Sequence, residues 1–183
     1  MKNKRLLKGI IIIIICLFLL VVGYAKTEVY FTHIDDIQTI ILLKVNNSEE
    51  SIDVAMYTFT DLILAEALVN AKDRGVEVRI YLDRSQVYAR YTQSVYFVQS
   101  EMKVRISSNH YIMHNKFAII DEEILITGSY NWTKAANTKN DENVMIIDCP
   151  YIIEIYEEQF ERLWNQYSIT LFEKLLERSK EVD

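Results

Sequence analysis

Apolar and polar positions alternate along this chain in short blocks of two kinds. Val29–Thr32, Val76–Leu82, Lys103–Ile106 and Asn143–Ile147 are short and rich in β-branched and aromatic residues, and they predict strands. Ser51–Phe59 and Ile112–Ile120 read the same way, and Ile124–Thr127 is a further short strand after a turn at Asp121-Glu122-Glu123. Between them the apolar period lengthens to three and four. A helix is predicted from the Asp35-Asp36 cap to Val45, with Ile37, Ile40 and Ile41 on its period. Others run from Thr60-Asp61 to Arg74, closed by Gly75, and from Ser85 to Ser100. A long one starts at Pro150 and reaches about Tyr167, with Tyr156, Phe160, Leu163, Trp164 and Tyr167 as its stripe. Leu171–Arg178 adds a last amphipathic helix, and Asn131-Trp132 opens a helical stretch. Strands alternating with helices predict one layered α/β domain, in which a central sheet is flanked by helices.

The N-terminus stands outside that pattern. Lys2, Lys4, Arg5 and Lys8 precede an unbroken apolar run, Ile10–Val22, and Gly23-Tyr24-Ala25 follows. A basic head, an apolar stretch and a small-x-small site form the layout of a signal peptide. Gly9–Ala25 would span about 25 Å as a helix, which leaves an uncleaved signal anchor open. Residues 1–25 are thus an N-terminal apolar helix that acts as leader or anchor, and residues 26–183 are the domain. Cations ahead of the span place that domain outside the cytoplasm. Past the leader only Cys149 remains, so no disulfide can form within a processed chain.

The whole chain carries −6, and the four cations of the leader leave −10 on the rest. The charge is uneven. Lys72–Lys116 holds eight Lys/Arg against four Asp/Glu, and Asp141–Asp183 holds four against eleven. Either the basic surplus forms a locally basic mouth on an acidic body, or it is surface charge with no role.

Candidate chemistry is concentrated in one stretch. His114 to Asn131 reads H-x-K-x4-D-x6-G-S-x-N, with six polar or special residues at fixed intervals through two apolar runs. On a strand His114 and Lys116 share a face, about 6–7 Å apart. Gly128-Ser129 ends the second strand just before a helical stretch, a place where N–H groups and a hydroxyl can meet an anion. One imidazole, one ammonium, one hydroxyl and one amide can therefore converge on a tetrahedral anion.

This spacing resembles the signature of the phospholipase D superfamily, with all six positions filled by His114, Lys116, Asp121, Gly128, Ser129 and Asn131. It is most similar to the small single-motif members, bacterial endonucleases and the mitochondrial cardiolipin hydrolase type, over roughly Glu28 to Tyr167. The resemblance implies a mixed central sheet and a phosphodiesterase that needs no cofactor or metal. It implies His114 as nucleophile, Lys116 and Asn131 on the phosphate oxygens with Ser129 assisting, and Glu142 as the acid that orients the histidine. Asp121 falls at the turn, on the opposite strand face from His114, where it can order the turn or bond to backbone. His33 and His110 start no second H-x-K, so one chain supplies half a site. The resemblance then implies a homodimer whose two His114 side chains face each other. The substrate is a phospholipid, slightly favoured, or nucleic acid. A non-catalytic binder of phosphate polymers or membranes is the remaining class.

Two other readings use the same residues. His110 and His114 are spaced for zinc on a helix, but on a strand they lie about 13 Å apart. Tyr81, Tyr88, Tyr91, Tyr96 and Phe97, interleaved with Arg84 and Arg90, could stack bases. The helical period of Tyr88, Tyr91 and Val95 instead predicts that these side chains are mostly core.

Overall fold

The structure, a computed structural model, describes residues 25–166 and 168–171. The predicted leader, except for residue 25, the stripe position Tyr167 and the predicted last helix beyond Leu171 lie outside the described residues.

The elements in chain order are β1 (Thr27–Phe31), α1 (Ile37–Asn46), β2 (Ser51–Met56), α2 (Leu62–Asp73), β3 (Glu77–Leu82) and α3 (Ser94–Gln99). There follow β4 (Lys103–Ser107), β5 (Lys116–Ile120), β6 (Ile124–Gly128), α4 (Lys134–Thr138), β7 (Asn143–Ile147), α5 (Pro150–Gln166) and β8 (Ser168–Thr170). The eight strands form one mixed sheet in the order β1-β7-β6-β5-β2-β3-β4-β8. β2, β3 and β4 run parallel and the other pairings are antiparallel. The α/β sandwich with a central mixed sheet is therefore present.

Alternation along the strands feeds two cores. Ile52, Val54, Ile80, Ala118 and Ile126 pack on one face with Ile41, Leu64 and Leu68 of α1 and α2. Ala55, Tyr81, Phe117, Ile119 and Leu125 pack on the other with Ile153, Phe160, Leu163 and Trp164 of α5. β5, shared by both cores, is buried along its whole length. Arg79 pins α5 to the sheet. Its guanidinium pairs with Asp53 and with Glu161 at 2.7 Å and lies 4.9 Å from the centre of the Phe160 ring. The aspartate caps read from sequence hold: Asp36 accepts from Thr39 N, and Asp61 from Ile63 N and Leu64 N.

Several predicted elements shrink, and the strand read over Ser51–Phe59 ends at Met56. The helix read over Ser85–Ser100 is only α3, because Asp83 captures the start of that segment. Its buried carboxylate accepts from Ser85 N, Ser85 Oγ and Met113 N, and Tyr91 then takes φ +67°. Tyr88, Tyr91 and Val95 consequently lose their helical period and are exposed. The core placement read for them is corrected; Tyr81 and Phe97 are buried. The strand read over Ile112–Ile120 begins at Lys116. The hydrogen bond from Met113 N to Asp83 lifts the preceding residues off the sheet, and Tyr57 N to Asn115 O is the last tie.

Most of the basic window is structural. Lys72 donates to Ser100 O, Arg74 to Val45 O and Ser48, and Arg105 to Trp164 O. Lys103 pairs with Glu77. Arg84 and Arg90 lie beyond the end of β3, on the side of the candidate site.

Candidate active site

The candidate residues gather at one edge of the sheet, where β2 ends, β5 begins, β6 ends and β7 begins. Met56 pairs with Lys116, Phe117 with Thr127, and Gly128 with Val144. This register sets Lys116, Ser129 and Glu142 at neighbouring strand ends.

His114 is exposed and sits outside the strands, two residues ahead of β5. Among the described residues its imidazole makes no hydrogen bond. Its ring contact is Tyr57, centroid to centroid 4.6 Å with the planes tilted by 57°. Lys116 is only 9% exposed. Its ammonium donates to the His114 carbonyl at 2.7 Å and lies 5.1 Å from the centre of the same Tyr57 ring. The sequence placed His114 and Lys116 on one strand face. The structure brings both to one tyrosine, with His114 ahead of the strand. Burial pulls the Lys116 ammonium below the ordinary lysine pKa, and the Glu142 carboxylate works against that shift.

Ser129 Oγ donates to Glu142 and accepts from Asn143 N at 3.1 Å. Asn140 Nδ2 donates to the other Glu142 oxygen at 3.0 Å. Glu142 is thus hydrogen-bonded to Ser129 and Asn140, and its charge acts on Lys116. Gly128 is dictated by packing: a Cβ there would run into the Asn143 carbonyl of β7.

Asn131 lies in irregular backbone, and the helix read from Asn131-Trp132 starts only at Lys134, capped by Thr133. The cause is a bridge between Phe59 and Trp132, with Thr60 N and Asp61 N donating to Trp132 O. Ser129 N is spent on Asn143 O and Thr133 N on Asn131 O. These two N–H groups are therefore not available to the anion expected at a helix N-terminus. Asn131 Oδ1 accepts from Thr58 N at 3.2 Å, and the donor capacity of its amide lies on Nδ2.

Asp121 sits at the far end of β5, about 17 Å from the site. Its carboxylate accepts from Glu49 N, Glu50 N and Ser51 N. The backbone role read from its place at the turn is the one found. Among the described residues no cluster of three His, Cys, Asp or Glu side chains could hold a metal. Tyr57 and Asp83 were not legible as site residues. The aromatic at the end of a buried strand is the only trace the sequence carries of the first.

Residues 41–164 match the family model described as Cardiolipin synthase, PLD-like domain. A mitochondrial cardiolipin hydrolase of Xenopus tropicalis is 34% identical over 135 residues, 74% of this chain and 64% of that protein. A phospholipase D of Rickettsia conorii is 37% identical over 132 residues, 72% of this chain and 66% of its own. The chain thus spans just under two thirds of the length of these relatives. The crystal structure of Nuc from Salmonella typhimurium, a phospholipase D family member, superposes with a TM-score of 0.74. It is 33% identical and is matched over 80% of this chain and 97% of its own.

Proposed function

The chain belongs to the phospholipase D superfamily, and on that premise we propose that it hydrolyses phosphodiesters in two displacements at phosphorus. One observation carries the reading: an exposed imidazole and a buried ammonium meet at the Tyr57 ring. His114 is open to substrate, while Lys116 is desolvated enough for its charge to act strongly on a phosphate oxygen.

In the first step a His114 nitrogen lone pair attacks phosphorus and the bond to the leaving oxygen breaks. That oxygen takes a proton from His114 of the partner subunit. In the second step water attacks the phosphohistidine, its proton passes to the same partner imidazole, and the P–N bond breaks. Lys116 and the Asn131 amide hold the non-bridging oxygens. Ser129 fixes Glu142, whose charge keeps Lys116 protonated. Two imidazoles are needed and one chain supplies one, so the working form is a two-fold homodimer.

Phospholipid is the favoured substrate, in a domain outside the cytoplasm. Tyr111 and Ile112, just before His114, are 81% and 62% exposed and suit a lipid surface. Nucleic acid is the second reading, favoured by Tyr91, which is 70% exposed with the Arg90 guanidinium 4.7 Å from its ring centre.

The test is an activity panel in chelator on phosphatidylcholine, cardiolipin, single- and double-stranded DNA and RNA, followed by trapping of the intermediate. Acid-labile, alkali-stable phosphate on His114 is the expected result. A His114→Ala variant that matches the wild type in every assay would instead make the protein a binder.

A further inference from the structure

The three groups assigned to the reaction lie within the motif, yet one short segment outside it touches all of them. Tyr57 and Thr58 follow directly after β2. The Tyr57 ring lies 4.6 Å from the His114 ring and 5.1 Å from the Lys116 ammonium. The next residue, Thr58, uses its main-chain N–H to fix the Asn131 amide through Oδ1. The segment is itself held. Tyr57 N donates to Asn115 O at 2.9 Å, between His114 and Lys116, and Thr58 Oγ1 donates to Gln86 Oε1 at 3.3 Å.

We propose that Tyr57 is a positioning residue for this reaction, whose ring face sets the His114 imidazole and the Lys116 ammonium relative to each other. The inference rests on the phosphodiesterase reading for its catalytic consequence, and on geometry alone for the packing. An aromatic face attracts a cation through its quadrupole, so the ring draws the Lys116 ammonium, and it draws the imidazole whenever that ring is protonated. The imidazole makes no hydrogen bond among the described residues, and the ring 4.6 Å away is a contact able to limit its rotation. Nothing in this role needs the phenol hydroxyl, whose contact with Gln86 Nε2 is long, at 3.5 Å. The face matters and the hydroxyl does not.

The test compares Tyr57→Phe, Tyr57→Leu and Tyr57→Met in the full chain. Leu and Met remove the ring by different shapes, so a folding defect in one leaves the other. With bis(p-nitrophenyl) phosphate, a diester with no lipid or base to recognise, the ring-less variants should lose about 10- to 100-fold in kcat with little change in KM. Tyr57→Phe should keep kcat within about 3-fold. The independent readout is the proton spectrum of the three histidines, in which the His114 signals are assigned by their loss in His114→Gln. Ring-current shifts on His114 should persist in Tyr57→Phe and vanish in Tyr57→Leu. Full kcat in both ring-less variants, a Tyr57→Phe as poor as they are, or His114 signals indifferent to the ring would each overturn the proposal. A wild-type chain that hydrolyses no diester would overturn the phosphodiesterase reading and with it the catalytic role of Tyr57, and the spectra would then decide the packing on their own.

Discussion

The Asp121 carboxylate accepts the main-chain N–H of Ser51 at 3.0 Å, at the first residue of β2 and the opposite end of the sheet from His114. The same carboxylate takes Glu49 N and Glu50 N, so one side chain closes the backbone entering the central strand. Asp121→Ala leaves those N–H groups without their acceptor. It should lower the unfolding free energy by about 2–3 kcal/mol, while the folded fraction keeps its kcat. Denaturant titration read beside kcat checks this. A kcat loss as large as that of a Lys116 variant would return Asp121 to the site.

Gly128→Ala forces a methyl group against the Asn143 carbonyl. Because backbone, not a flexible side chain, stands in the way, β6 and β7 must part. The expected cost is about 3 kcal/mol, seen as a lower midpoint of thermal unfolding. Turnover should fall too, because Ser129 and Glu142 hang on the displaced strand ends.

His114→Ala should behave in the opposite way. The side chain is exposed and, among the described residues, makes no hydrogen bond. Its removal should leave thermal stability near the wild type and lower kcat by a factor of about 10³ or more. A parallel loss of stability would give His114 a structural role.

Lys116 and Glu142 together should set an alkaline limit on activity. Burial holds the Lys116 pKa below its ordinary 10.5 and Glu142 raises it. Activity should fall as pH rises through that depressed value. Glu142→Gln removes the opposing carboxylate, so the alkaline limb should move to lower pH. Stability has the reverse sign. Above the depressed pKa the folded chain gives up a proton that the unfolded chain still binds, so stability should rise with pH up to about 10.5. Lys116→Met should abolish that rise. An alkaline limb that stays put in Glu142→Gln would show that the two residues are uncoupled.

Much of the fold was legible because strand alternation and aspartate caps are local. The pattern of Ile52, Val54 and Met56 against Asp53 and Ala55 marks the two faces of β2 without reference to any other segment. The segments that departed were those where a distant side chain took a backbone group. Asp83 ends the helical reading after β3 and lifts His114 off its strand, and it does so through Met113, 30 residues away. Trp132 is held by Phe59 and its neighbours, which delays α4. The site was legible as a set of residue types because the motif compresses them into one stretch. Their arrangement was not, since Tyr57 and Thr58 enter from β2 and no spacing within the motif refers to them.

The contacts of Asp121 divide the signature into two separable kinds of requirement. On the proposed reading His114, Lys116 and Asn131 answer to the reaction. Asp121 and Gly128 answer to the sheet, at its far tip and at the close approach of β6 to β7. A descendant released from catalysis would be free to change the first three and would still have to keep the last two in order to fold. A relative that retains only the aspartate and the glycine would on that reading keep the scaffold without the reaction, so fragments of this signature should be weighed by which positions survive, not by how many.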